Sequence, residues 1–216
     1  MRWAILWLVI LCVTSCTDST PAHHAVYVLI DRSGSYAQNY DKVISTIKLT
    51  LASMEQGDSF SLARIDNENF SEADIAVALT FSSRPSQTNA QKRAVLTMVE
   101  QLAAETRAGS YTDVTGGMLQ AMTWLNATGA RTKIIIVFSD FHEEPREGYL
   151  REFPVNFNGA RVVVWNVPPA EDVAGITLTE TQPFSARANA WQERVKAGGG
   201  NWQLINDVSE LKPLFH

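Results

Sequence analysis

Three short polar segments of this 216-residue chain combine carboxylate and hydroxyl side chains. Two of them directly follow apolar runs, Asp31-Arg32-Ser33-Gly34-Ser35 and Ser139-Asp140, and the third lies between these in the chain, Gly109-Ser110-Tyr111-Thr112-Asp113. Taken singly, an Asp or Ser at the end of a strand most often belongs to a turn or a helix cap. Together, oxygen ligands without His or Cys select a hard divalent cation such as Mg²⁺, Mn²⁺ or Ca²⁺. The combination indicates a metal site, provided that the fold brings the segments together.

Strands and helices alternate along the sequence in an order that would bring the three segments together. Continuous runs rich in β-branched residues predict buried strands, and apolar residues at three- and four-residue spacing predict helices between them. The predicted strands cover residues 24–30, 59–65, 73–81, 133–138, 161–167 and 201–205, and the predicted helices include residues 43–54, 94–102, 118–125, 186–197 and 208–215. Only the second and third strands are close enough for a hairpin. The pattern therefore predicts a three-layer α/β/α fold, with a doubly wound, mostly parallel sheet and one antiparallel edge strand, whose ligands bind at the carboxyl ends of the strands.

An Asp-x-Ser-x-Ser segment, a Thr in a Gly- and Ser-containing loop and an Asp after a hydrophobic strand resemble the von Willebrand factor A domain. The resemblance extends from Ala25 to about Phe215. It implies a Rossmann-like fold with a metal-ion-dependent adhesion site. The ligands that it implies by position are Asp31, Ser33, Ser35, Thr112 and Asp140. Ser110 and Thr115 lie close enough to offer alternative hydroxyls, but Thr112 best fits the family's transition from loop to helix, because it is followed by Gly116-Gly117-Met118.

This ligand set favours Mg²⁺, with Mn²⁺ or Ca²⁺ as alternatives, because three compact loops suit a small octahedral ion. Two carboxylates only neutralise a divalent ion, and hydroxyls add no charge. The family's adhesion sites bind an Asp or Glu of a partner protein in this way, with the partner carboxylate displacing a metal-bound water. The resemblance therefore implies a protein partner that offers an acidic side chain.

The N-terminal residues predict a targeting signal rather than a part of the folded domain. One Arg precedes an apolar run from Trp3 to Val13, which is too short to span a hydrocarbon core but is typical of a secretory signal. Val13-Thr14-Ser15-Cys16 resembles the lipobox of bacterial lipoproteins, which implies acylation of Cys16 and anchoring in a lipid bilayer. The alternative is a secreted protein that is cleaved nearby. The predicted division is a signal peptide, a lipidated tether and one domain, over residues 1–15, 16–24 and 25–216.

These features predict a location in the bacterial cell envelope. Thr17, rather than an aspartate, follows Cys16, which in a Gram-negative cell implies the periplasmic face of the outer membrane. Both cysteines, Cys12 and Cys16, lie in this N-terminal stretch, and a domain without thiols suits an oxidising compartment.

Composition and motifs argue against two other classes of function. Eighteen basic and 23 acidic residues give a net charge of -5, so no basic field is available to bind nucleic acid. A serine hydrolase would need a positioned histidine base, and only His142 lies near the predicted site. The sequence contains neither a Gly-x-Ser-x-Gly elbow nor a P-loop. We therefore expect a binding module, not an enzyme, with a metal-independent structural scaffold of an envelope assembly as the alternative.

An acidic stretch, residues 143–147, follows the predicted ligand Asp140. Such a stretch is typical of a solvated loop. Its position beside the predicted site also makes it a hypothesis for partner selection, together with the long connection over residues 168–185.

Overall fold

The computed structural model describes residues 23–31, 40–65, 74–104, 112–143, 153–166 and 183–215. Six strands, β1 to β6, span His24–Asp31, Ser59–Ile65, Ile75–Thr80, Thr132–Phe138, Arg161–Trp165 and Asn201–Ile205. Four α-helices, α1 to α4, span Tyr40–Ser53, Pro85–Ala104, Val114–Ala127 and Phe184–Ala197, and a 3₁₀-helix spans Val208–Phe215. Each predicted strand and helix is present.

The six strands form one sheet in the order β3-β2-β1-β4-β5-β6. All neighbours are parallel except β2 and β3, which pair antiparallel. The two central strands, β1 and β4, are the most continuously apolar, as strands covered on both faces must be. The predicted, mostly parallel sheet with one antiparallel edge strand is therefore confirmed.

Helices cover both faces of the sheet and create two cores. Side chains alternate along β1, so that Val26 and Val28 lie in one core while Tyr27 and Leu29 lie in the other. The first core also takes its side chains from α1, α2 and the 3₁₀-helix, and the second from α3 and α4. The predicted three-layer architecture is confirmed.

Helix α3 runs antiparallel to β1 and packs closely against it. A Cβ added at Gly117 would lie 3.2 Å from Leu29 Cδ2, so glycine permits the close approach. Further along the helix, Tyr27 Oη donates a hydrogen bond to Gln120 Oε1 at 3.1 Å. Burial raises the pKa of the Tyr27 hydroxyl, so it stays a donor over the whole physiological range. Because the helix and the strand run in opposite directions, the N-terminus of α3 lies at the carboxyl end of β1.

Some element boundaries and one helix type differ from the prediction. Helix α2 begins at Pro85, well before the periodic residues, because proline is favoured in the first helical turn. It continues to Ala104, two residues beyond the last periodic residue, and the predicted end of β5 at residue 167 lies outside the described residues. The last helix is 3₁₀ rather than α and contains Pro213, which has no backbone N–H to donate.

Nothing in the structure bears on the predicted anchor, because Cys16 and the signal segment lie outside the described residues. None of the helices described is both long and apolar enough to cross a membrane.

Candidate metal site

The ends of the two central strands bring Asp31 and Ser139 side by side. Ile30 pairs with Phe138 in the parallel ladder between β1 and β4, so the next residue of each strand reaches the same edge. Ser139 Oγ donates a hydrogen bond to Asp31 Oδ2 at 2.8 Å, and Asp31 is only 1% exposed. Because a buried carboxylate is costly unless it has partners, this bond helps to satisfy Asp31 and fixes its orientation.

Asp140 follows on the same edge, in a turn that its own side chain stabilises. Asp140 Oδ1 accepts a hydrogen bond from the His142 backbone N–H at 2.8 Å, and Ser139 Oγ accepts one from the Phe141 N–H at 2.9 Å. The Asp140 side chain is 13% exposed. Both predicted carboxylate ligands therefore lie at the carboxyl ends of adjacent parallel strands, one buried and one partly open.

Phe141 adopts a backbone conformation that is rare for a bulky residue. Its φ of 58° lies in the left-handed region, which costs about 1–2 kcal/mol for a non-glycine residue. Its side chain is 3% exposed, and its ring packs against Phe184, Trp191 and Trp202 at centroid distances of 6.4, 5.8 and 5.7 Å. Aromatic packing therefore offsets the strain and fixes the turn that follows Asp140.

Thr112, the third predicted ligand in the described residues, is buried and lies just before α3. Asp113 is the N-cap of that helix, and its Oδ1 accepts a hydrogen bond from the Gly116 N–H at 2.7 Å. Because α3 begins at the carboxyl end of β1, Thr112 lies at the same edge as Asp31 and Asp140. The other two predicted ligands, Ser33 and Ser35, lie outside the described residues.

Thr115, one of the alternative hydroxyls, has other partners. Its backbone N–H and its Oγ1 both donate to Glu143 Oε1, at 2.9 and 2.8 Å, and Arg194 donates to Thr115 Oγ1 at 3.0 Å. Glu143, only three residues after Asp140, therefore caps α3 and links it to the loop after β4. Ser110, the other alternative, lies outside the described residues, as do residues 144–147 of the acidic stretch.

Arg187, at the end of the first turn of α4, could not be predicted from the sequence. Its Nε donates to the Asp140 carbonyl oxygen at 2.8 Å, and its Nη2 lies 3.9 Å from Asp140 Oδ2. The Arg187 side chain is 8% exposed. A buried positive charge therefore lies beside one of the two predicted carboxylate ligands.

The groups at this edge fit a hard divalent ion. The described residues contain no group of three or more His, Cys, Asp or Glu side chains that could hold a metal. The predicted ligand set does not require such a group, because it combines only two carboxylates with hydroxyl side chains. Asp31 offers a carboxylate of fixed orientation at the edge, and Asp140 offers a partly open one, which suits an oxygen-ligated ion such as Mg²⁺ or Mn²⁺.

Substitution of Gly116 by alanine is expected to remove the Asp113 cap. A Cβ at Gly116 would lie 2.4 Å from Asp113 Oδ2, so the carboxylate must move away from the helix N-terminus. Chemical denaturation should show a loss of about 1–2 kcal/mol in the free energy of unfolding. The Asp113→Ala and double variants provide the control: the double variant should cost little more than Asp113→Ala alone, whereas additive losses would contradict this explanation.

Several solved structures have a fold similar to that of this chain. No family model matches the sequence, and no curated protein resembles it in sequence. The pilus adhesin SpaC from Lactobacillus rhamnosus GG aligns with a TM-score of 0.57 and 12% identity, over 91% of this chain and 29% of SpaC. An aerotolerance-related membrane protein from Bacteroides fragilis aligns with a TM-score of 0.52 and 14% identity, over 88% of this chain and 96% of that one. A von Willebrand factor type A structure from Catenulispora acidiphila aligns with a TM-score of 0.49 and 12% identity, over 90% of this chain and 41% of that one.

The chain thus spans less than a third of SpaC but nearly the whole Bacteroides structure. At these identities the likeness concerns the fold. It agrees with the resemblance seen in the sequence, with the observed strand order and antiparallel edge pair, and with helices on both faces of the sheet. The chain therefore has a three-layer α/β/α fold, with the mostly parallel sheet and antiparallel edge strand that the sequence resemblance to the von Willebrand factor A domain implies.

Proposed function

We propose that this protein is an envelope-anchored, metal-dependent binding module that recognises an Asp or Glu of a partner protein through a divalent ion. The observation that carries the proposal is the position of Asp31 and Asp140 at the ends of adjacent parallel strands, with Asp31 held by Ser139. A solved structure with this fold is a pilus adhesin, which supports a role in protein interaction. An envelope location follows from the predicted lipobox.

The residues that would hold the ion are Asp31, Ser33, Ser35, Thr112 and Asp140, with Mg²⁺ favoured and Mn²⁺ or Ca²⁺ as alternatives. When bound, the ion supplies an electrophilic position for an oxygen ligand. Asp31 and Asp140 carry the formal charge of this set, and together they only balance a divalent ion. A carboxylate from a partner is therefore the best further ligand, because its charge compensates for its own desolvation.

We propose a binding role rather than an enzymatic one. Ser139 lies beside the carboxylates, but its side chain is buried and its hydroxyl donates to Asp31, so it is not available as a nucleophile. His142 is exposed, and its backbone N–H donates a hydrogen bond to Asp140 Oδ1.

Crosslinking on intact cells tests the proposed function. The wild-type protein should capture a partner that the Asp140→Ala variant loses, because the partner carboxylate then has no ion to bind. Glu193→Ala is the matched control, since Glu193 is a well-exposed carboxylate on α4 that pairs with Lys196. Equal capture by all three proteins would contradict the proposal.

The anchor is tested separately by replacing Cys16 with serine. The wild-type protein should fractionate with membranes, whereas the Cys16→Ser variant should be neither acylated nor processed. Mass spectrometry of the N-terminus distinguishes the two. A soluble wild-type protein with an unmodified N-terminus would exclude lipid anchoring without affecting the proposed metal site.

The alternative is a structural component of an envelope assembly that binds its neighbours without a metal. Met98 on α2, 47% exposed, is an apolar side chain that such binding could use. Binding of this kind would be indifferent to chelation.

A further inference from the structure

Arg187 is the charged group whose position the proposed function does not explain. Its guanidinium is held in place from two directions, by the bond from Nε to the Asp140 carbonyl and by the proximity of Nη2 to the Asp140 carboxylate. Arginine is always protonated, and its side chain here is only 8% exposed, so water screens its charge poorly. The carboxylates of Asp31 and Asp140 therefore share their edge of the sheet with a fixed positive charge.

We infer that Arg187 determines which ligands this site prefers: it lowers the affinity for the metal ion alone and raises the affinity of the loaded site for a carboxylate. The inference rests on the proposed function. The two Asp carboxylates and a divalent ion would sum to zero charge, and Arg187 makes the sum positive. A positive charge repels the ion and attracts an anionic ligand, and both effects are strong where the local dielectric is low.

Arg187 also positions Asp140, because its Nε bond fixes the main chain of the residue itself. Charge and position can be separated by substitution. Lysine keeps the charge without the planar arrangement of donors, glutamine keeps hydrogen-bond donors without the charge, and methionine removes both while keeping an unbranched side chain.

Arg194 provides a matched control on the same helix. Its guanidinium stacks on the Trp191 ring at 4.0 Å and lies 3.9 Å from Glu143, and its side chain is more than a third exposed. Solvent screens its charge, and its ion-pair partner is not a predicted ligand. Loss of this charge should therefore change the affinity for the ion by less than about twofold.

The test is calorimetric titration of the purified full-length protein with Mn²⁺, in the absence and the presence of acetate as the carboxylate probe. Acetate should tighten Mn²⁺ binding by the wild type. In Arg187→Met and Arg187→Gln, Mn²⁺ alone should bind about tenfold more tightly, and the enhancement by acetate should fall by about the same factor. Arg187→Lys and Arg194→Gln should retain both wild-type values to within a few fold.

The opposite directions of the two effects distinguish this role from a structural one. If the uncharged variants weaken the binding of both the ion and acetate, Arg187 only positions Asp140 and the inference is wrong. Unchanged affinities would equally overturn it. A wild-type protein that binds no Mn²⁺ would instead contradict the proposed function itself. If Arg187→Met fails to fold, Arg187→Gln against Arg187→Lys provides the same comparison of an uncharged with a charged side chain.

Discussion

Replacement of Asp31 and Asp140 together by alanine is expected to abolish divalent-ion binding in a calorimetric titration. These residues supply all of the formal charge in the proposed ligand set. Because even the outer partners of metal ligands cost about 10–100-fold in affinity when they are removed, each single variant should lose on the order of 100-fold or more. The fold should survive, since the two apolar cores on either side of the sheet do not depend on the ion.

Asp113→Ala is the matched control for this experiment. Asp113 is also a carboxylate at the same edge, but it caps α3 and is not a predicted ligand. The Asp113→Ala variant should lose stability rather than affinity for the ion. Unchanged binding of Mg²⁺ and Mn²⁺ in the double variant, with native circular dichroism, would show that the ion binds elsewhere or not at all.

Phe141→Ala should have the largest effect on stability, a loss of about 3–5 kcal/mol in the free energy of unfolding. The change removes a buried ring that packs on Phe184, Trp191 and Trp202. Alanine would keep the strained left-handed backbone without the aromatic packing that offsets the strain. Urea denaturation measures the loss. The affinity for Mn²⁺ should fall as well, because Asp140 directly precedes the turn that this ring holds.

Phe153→Ala is the corresponding control, because the Phe153 side chain is 64% exposed. Its free energy of unfolding should change by less than about 0.5 kcal/mol. Similar values for the two variants would mean that the aromatic cluster does not hold the turn after Asp140. A destabilised Phe141→Ala with unchanged Mn²⁺ affinity would limit the role of the ring to stability.

The strands and the positions of the two carboxylates could be predicted because their signals are local. A strand buried on both faces requires a continuous apolar run, and the predicted strands 24–30 and 133–138 agree with His24–Asp31 and Thr132–Phe138 to within one residue at each end. Asp31 and Asp140 each lie close to the end of such a run. In a parallel sheet this spacing suffices to bring them to one edge.

The supporting residues could not be predicted, because their partners are distant in the chain. Arg187 contacts Asp140 across 47 residues of sequence, and an arginine on an amphipathic helix usually faces solvent. The left-handed φ of Phe141 depends on rings from α4 and β6, so no local pattern announces it. Glu143 was interpreted as part of a solvated loop because the sequence does not show that Thr115 lies beside it.

One missed contact did have a local signal. Asp113 directly precedes α3, an Asp there is typical of an N-cap, and its side chain accepts a hydrogen bond from the N–H three residues later. Its place next to the predicted ligand Thr112 made it part of the predicted metal loop. The structure shows instead that Asp113 begins the helix.

The most direct test of the central claim is the effect of chelation on the partner captured by crosslinking. Binding to the purified partner should disappear in EDTA and return with Mg²⁺ or Mn²⁺. It should also be lost when one particular Asp or Glu of the partner is changed to Asn or Gln, while other charges on the partner matter little. A partner bound equally well with and without EDTA would contradict metal-dependent recognition and favour a structural scaffold.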